Sequence, residues 1–342
     1  MRYPAFLPEK GRIGFIAPSF GCTTEPYLSC FEESIRLFHR RGYRTVLGPN
    51  CFASDGIGKS STPESCGAEI NEFFTQDRCD VILSCGGGET MCEDLPFVDF
   101  MSIRNAPPKW FMGFSDNTNL TFTLPVLCDT AAIYGPCAPA FAMNPLHRSV
   151  KDALLLLRGK KTEFTSYSGW EKAPQKDEEN PFAPYNITEK TVMRVISGSG
   201  SSTAFSGRLI GGCLDCLSIL AGTAFDRVKE FAERYAKDGL IWFLEACDLN
   251  PMGIRRALWQ LDQAGWFRHA KGFLIGRPFL FDEQMLGMDH YDAVTGILKK
   301  YDVPIVMDMD LGHLPPMIPL ISGALAEVEA APKKLSVKMR LE

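Results

Sequence analysis

Short apolar runs alternate along the first part of the chain with longer stretches whose apolar residues recur at helical spacing. "GRIGFIAPS" predicts a short buried strand closed by Pro18 and Ser19. "YLSCFEESIRLFHRRGY" follows as a helix that ends at Gly42, and "RTVLGP" as a second strand. "TPESCGAEINEFFTQ" carries a Thr–Pro–Glu helix start. "CDVILSCGGGE" is a strand running into glycines, and "KWFMGFS" and "AAIYGP" are two more. Such alternation predicts parallel βα units and an open α/β sheet over residues 1–160.

Residues 161–205 break the pattern. "SYSGWEKAPQKDEENPFAPYNITEK" is polar, rich in proline and weakly periodic, which predicts a linker and insert loop. A second structured block, 206–342, contains strand "STAFSGRLIGG" with helices "CLDCLSILAG" and "DRVKEFAERYAKDG" after it. Strand "LIWFLEA", helix "NPMGIRRALWQLDQAGWF" and strand "AKGFLIGRP" come next. Helix "YDAVTGILKKY", strand "PIVMDMDLGH" and a tail of strands around a Pro turn complete it.

The length of 342 residues supports the division into two domains. Hydrophobic content of 45% and charged content of 23% fit a globular protein, and a net charge of −5 argues against a nucleic-acid polymer as partner. There is no run of about 18 apolar residues, so no membrane span is expected. Pro and Glu interrupt "MRYPAFLPEKGRIGFIAPS" where a signal peptide needs an apolar segment, so a cytoplasmic location is expected. The twelve cysteines are scattered through apolar patterns, as buried free thiols are. Cys213 and Cys216 form a close pair, but neither a second pair nor a His pair stands nearby, so no metal or cofactor is expected.

Candidate chemistry gathers where strands end. Ser115 in "WFMGFSDNTNL" stands where an apolar strand stops and a helix can start, the setting of a nucleophile elbow. The amide of Asp116 would then face a developing oxyanion. The second glycine of G-x-S-x-G is missing, and an ordinary turn or N-cap serine is the alternative. Of the five histidines, His39 lies in a basic helix end, His147 and His269 read as surface positions, and His290 sits in a Met- and Asp-rich loop. His313 follows an apolar strand and precedes stiffening prolines, at the end of the sheet where sites collect. Glu245 closes the apolar run "GLIWFLE", where a carboxylate must be paired. Asp248 reads instead as the cap of the helix that starts at "NPMGIRRAL". "SCGGGETM" lets backbone amides approach a ligand and lacks the Walker spacing of a phosphate loop.

"GFSDNT", "FLEACD" and "DLGH", in that order and with "GGG" ahead of them, resemble the serine LD-carboxypeptidase family, which also contains microcin C self-immunity peptidases. The likeness extends through "GFIAPS", "GRLIGGCLDCLSILAGT" and "AKGFLIGRP" over nearly the whole chain. It implies Ser115 as nucleophile, His313 as general base and Glu245 orienting the imidazole. It implies an oxyanion hole from backbone amides at Gly87 and Asp116, with Gly86 and Gly88 beside the substrate. The implied fold is a flavodoxin-like N-terminal domain with a parallel sheet and a C-terminal α/β domain with a small β-barrel-like sheet. The implied assembly is a homodimer whose site lies in an interdomain groove, without metal.

Two departures bear on substrate. Muropeptide-cleaving members carry Arg-Gly-Gly before the oxyanion loop, where this chain has Cys85-Gly86-Gly87-Gly88, so an anchor for a terminal carboxylate is missing there. The insert bears Trp170, Phe182 and Tyr185, and Trp170 is the candidate for stacking on a nucleobase, as an aromatic does in immunity-type members. The expected activity is hydrolysis of a small amide through an acyl-enzyme, on a muropeptide losing D-Ala or on a peptidyl- or aminoacyl-nucleotide. A non-catalytic ligand-binding protein, and a thiol enzyme using Cys85 or Cys247, are the rivals.

Overall fold

The computed structural model describes residues 1–56, 58–196 and 200–342. The chain forms two compact units, one of Met1–Lys161 with Ala173–Asn186 and one of Thr162–Lys172 with Ile187–Glu342.

Unit 1 runs β1 (Arg12–Ile16), α1 (Tyr27–Arg40), β2 (Arg44–Leu47), α2 (Pro63–Thr75), β3 (Val81–Ser84), α3 (Phe100–Asn105) and β4 (Trp110–Gly113). It continues with α4 (Thr118–Thr121), α5 (Thr123–Cys128), β5 (Ala132–Tyr134) and α6 (Arg148–Leu157). The strands pair in parallel in the order β5–β4–β3–β1–β2. Every residue of β3, β4 and β5 is buried, which explains their unbroken apolar sequences: a parallel sheet is covered on both faces. Ile70, Phe73 and Phe74 of α2 and Leu120 and Leu124 of α4 and α5 pack on Ile16, Ile82 and Phe111. Thr62 caps α2 by accepting from the Ser65 amide, with Pro63 in the first turn. The chain leaves β1 outward to β2 and returns on the other side at β3. The loops after β1 and β3 therefore diverge, and the sheet has its switch point there, where ligand sites form in open α/β layers.

Unit 2 contains β6 (Glu163–Thr165), β7 (Gly169–Glu171), β8 (Ile187–Lys190), β9 (Arg194–Ile196), β10 (Thr203–Cys213), α7 (Leu214–Leu220), α8 (Val228–Arg234) and β11 (Leu240–Glu245). Then come α9 (Pro251–Gln263), β12 (Ala270–Gly276), α10 (His290–Leu298), β13 (Ile305–Met309), β14 (Leu320–Ser322), β15 (Leu325–Ala331) and β16 (Lys334–Arg340). Its large sheet has the order β6–β16–β15–β10–β11–β12–β13–β9, with β10 to β13 parallel. Among the described residues this sheet is open and does not close into a barrel. The 11-residue strand β10 explains the layout. Its first half pairs antiparallel with β15 and its second half parallel with β11, so it spreads the sheet between two partners.

Residues 161–205 differ from the expected linker and insert loop. β6 pairs with β16, β7 with β8, and β9 with β13. Residues 173–186 belong to unit 1, where the Asn144 amide donates to the Phe182 carbonyl and His147 packs edge-on against Tyr185. Strands of three or four residues show no usable periodicity, and their partners come from far along the chain. Among the described residues, no helix is long and apolar enough to cross a membrane.

Candidate active site

In unit 1, β4 delivers Phe114 in extended backbone (φ −144°, ψ −176°), and Ser115 then turns into the left-handed region at φ 62°. For a residue with a side chain this costs on the order of 1–2 kcal/mol and needs surroundings that hold it. One holder is Tyr134 of β5, whose hydroxyl accepts from the Ser115 amide at 3.2 Å. Ser115–Asn117 then form a 3-10 turn leading into α4, so the turn presents amides at a helix start.

The glycine segment at the end of β3 meets this turn. A Cβ added at Gly87 would stand 3.2 Å from both Cβ and Oγ of Ser115, a crowded contact that glycine avoids. The Gly86 carbonyl accepts from Asn117 Nδ2 at 2.7 Å, and the Gly87 carbonyl from the Phe20 amide at 3.0 Å. Gly88 lies against the Ser19 hydroxyl. The structure thus brings together Ser115 and Asp116, on the turn after β4, with Gly86, Gly87 and Gly88, on the loop after β3 at the switch point.

In unit 2, Glu245 is the last residue of β11 and His313 lies in the turn after β13. His313 Nδ1 is 2.8 Å from Glu245 Oε2. A carboxylate only accepts, so Nδ1 carries the proton, and the neutral ring keeps the Nε2 lone pair for taking another. Gly312, at φ 95°, permits the approach: a Cβ there would lie 2.6 Å from Glu245 Oε2. Burial is the largest influence and pulls the imidazole pKa down, but the charge of Glu245, contact from Cys247 and the Glu245 hydrogen bond together outweigh it, and the net shift is well upward.

Asp215, at the start of α7, accepts from the amides of Cys247 (3.0 Å) and Asp248 (2.9 Å) and holds the turn that follows Glu245. Asp248 is not the helix cap that its position predicts. Asn250 caps α9 by accepting from the Gly253 amide, because Pro251 at the first helical position fixes the cap one residue earlier. His290, expected in a loop, opens α10 and is buried. Trp170 is a buried strand residue, its ring 5.2 Å from that of Phe281 and 5.1 Å from the Arg277 guanidinium. Arg277 is itself paired with Asp310 at 2.6 Å.

The two candidate thiols are poorly suited to attack. Burial raises the pKa of Cys85 well above that of an ordinary thiol. Burial also raises that of Cys247, with His313 pulling weakly the other way. Cys213 and Cys216 are buried free thiols. Among the described residues, no three His, Cys, Asp or Glu side chains are grouped to hold a metal ion.

Residues 13–135 match the family model described as the LD-carboxypeptidase N-terminal domain, and residues 206–328 match that of its C-terminal domain. The chain belongs to the LD-carboxypeptidase family. It is a serine-type peptidase, as the resemblance implied. The microcin C7 self-immunity protein MccF of Escherichia coli is 25% identical over 334 residues, covering 95% of this chain and 92% of that protein. An MccF-like protein of Bacillus anthracis has the same fold at a TM-score of 0.82 and 20% identity, covering 99% of this chain and all of that one. MccF solved in complex with aspartyl sulfamoyl adenosine gives a TM-score of 0.81 at 23% identity, with 99% of each chain covered.

Within this LD-carboxypeptidase chain, sequence reasoning passed over Tyr134, Ser19, Asn117 and Asp215. Tyr134, Asn117 and Asp215 act through hydrogen bonds to backbone of other segments, and the Ser19 hydroxyl donates to the Asp116 carboxylate. The one signal in sequence was the polar run "SDNTN" directly after an apolar strand, where buried polar side chains need partners.

Proposed function

We propose that this LD-carboxypeptidase family member cleaves a small amide with Ser115 as nucleophile, His313 as base and Glu245 as the group that orients and charges the imidazole. The observation that carries the reading is the 2.8 Å contact between Glu245 and His313, which fixes the tautomer a base requires. The strained turn at Ser115 and the close glycine backbone add support. Ser115 Oγ bonds to the amide carbonyl carbon while its proton passes to His313 Nε2. The oxyanion is held by amides of the glycine segment and of Asp116. Collapse breaks the C–N bond, and the amine leaves with the proton from His313. Water, deprotonated by the same imidazole, then releases the acyl group.

The substrate of this reading is a muropeptide that loses D-Ala. A second reading, an aminoacyl- or peptidyl-nucleotide, is favoured by Cys85 standing where muropeptide-cleaving members carry Arg, and by the nucleotide analogue bound to MccF. Ser115→Ala should lower turnover of L-Lys- and diaminopimelyl-D-Ala muropeptides and of aspartyl sulfamoyl adenosine by on the order of 10³-fold or more. Full hydrolysis by the folded variant refutes the assignment. The wild type's preference between the two substrate types selects the branch. Trp170→Ala weakening nucleotide turnover alone gives that ring a part in the second reading, whereas equal effects on both assign it to packing.

A further inference from the structure

The two residues after Ser115 reach the glycine loop at both of its ends. Asn117 Nδ2 donates to the Gly86 carbonyl at 2.7 Å and also to the Phe114 carbonyl at 3.0 Å. Asp116 Oδ2 accepts from the Met91 amide at 2.9 Å and from the Ser19 hydroxyl at 2.5 Å, while Oδ1 accepts from Asn119 Nδ2 at 3.0 Å. Both side chains are buried. Residue 86 is thus tied by Asn117 and residue 91 by Asp116, and Gly87, where an added Cβ would stand 3.2 Å from Ser115 Oγ, lies between the ties. The Phe20 amide, on the loop that also carries Ser19, holds the Gly87 carbonyl from the side of β1.

Three successive glycines have wide backbone freedom. Oxyanion donors are effective only when they stand in place before the charge develops. A loop of this composition therefore needs fixing from outside, and the residues that fix it belong to the nucleophile's own turn.

We propose that the carboxylate of Asp116 and the carboxamide of Asn117 are positioning residues that set the glycine loop against Ser115, so that nucleophile and loop amides form one rigid piece. The proposal rests on the reading of Ser115 as nucleophile. It gives Asp116 a second role, since its side chain acts on the loop while its amide faces the oxyanion. The ties end on backbone and not on substrate, so their loss lowers kcat and leaves KM nearly unchanged. An Asn at 116 keeps an oxygen for Met91 and Ser19 and gives up the Oδ1 contact with Asn119. An Asp at 117 has the shape of Asn but presents an acceptor to the Gly86 carbonyl.

The test is the rate at which a fluorophosphonate labels Ser115, read by mass spectrometry on the purified full chain, with steady-state hydrolysis of whichever amide the wild type turns over. Asp116→Ala and Asn117→Asp should each slow labelling and lower kcat by on the order of 10²-fold with KM within about threefold, and Asp116→Asn should recover all but about tenfold. Wild-type labelling rates in Asp116→Ala and Asn117→Asp overturn the proposal and leave the Ser115 reading intact. Equal losses in Asp116→Ala and Asp116→Asn also overturn it, because the loop tie survives in the second. If Asp116→Ala does not fold, Asn117→Asp decides alone. If the wild type is not labelled at Ser115 while Ser115→Ala stays active, the nucleophile reading falls and this proposal with it.

Discussion

Glu245, 1% exposed, sets the charge state of the imidazole 2.8 Å away. Burial by itself would strip the proton from His313, and the charge and hydrogen bond of the carboxylate, with contact from Cys247, together reverse that. The base form of the ring therefore accumulates only above the ordinary histidine pKa of about 6.5. The kcat/KM profile should accordingly rise with pH along a limb whose midpoint lies above that value. Glu245→Gln still accepts from Nδ1 but carries no charge, so the largest upward push on the ring is lost and the midpoint should move down, with the plateau lowered by on the order of 10²-fold. A pH–rate profile of the variant with an unmoved midpoint would falsify the pairing as the source of the shift. Ser115, Glu245 and His313 were legible because each stands at the end of an apolar run, where a polar residue is conspicuous. Tyr134 was not: inside "AAIYGP" it reads as one more apolar strand residue, and its hydroxyl acquires meaning only from a backbone amide 19 residues away.

At the level of elements, the alternation of apolar runs and helical periodicity located β1 to β5, α1 and α2 of unit 1 and the elements of the block after residue 206, because parallel strands buried on both faces are unbroken in sequence, and it left α3 and α6 unassigned. The sequence could not yield the short antiparallel pairs of β6, β7, β8 and β9, whose stability is supplied by distant partners such as β16 and β13. Turns held by a side chain from another element are illegible in the same way, and the turn after β11 is one. Asp215 carries two of its amides from the start of α7, and Cys213 Sγ donates to the same carboxylate at 3.2 Å. Asp215→Ala leaves these donors to water in a half-buried place, at a cost of about 1–3 kcal/mol in a urea titration. The turn begins beside Glu245, so kcat should fall as well, and Asp215→Asn, which keeps one acceptor, should fall between. Unaltered stability and turnover in Asp215→Ala would mean that β11 alone holds the turn.

At the scale of the whole molecule, buried acids couple stability to pH. In unit 1, Asp94 is pushed up to about 8, by burial first and then by the charge of Asp116, and one of its oxygens is buried without a hydrogen-bond partner. Glu69 is pushed up to about 7 by burial, although it accepts from the amides of Ala17 and Asn50. Both carboxyls keep their protons in the fold at pH values where the unfolded chain, with ordinary values of 3.8 and 4.5, has lost them. At these two groups the folded state then binds more protons than the unfolded state, and their contribution to stability falls as pH rises from about 4 to about 8. His313, also raised, adds a contribution of the same sign that is lost as pH climbs through its folded value. The wild-type slope alone therefore does not isolate the carboxyls, and the comparison with Asp94→Asn does. An amide at 94 cannot ionise, so the variant should gain about 1–3 kcal/mol over wild type at pH 8.5 and differ by less than about 1 at pH 5.5. Urea midpoints at the two pH values measure it. A variant whose stability tracks the wild type in parallel across the range would show that Asp94 ionises in the fold as freely as in the open chain, and that this acid is solvated.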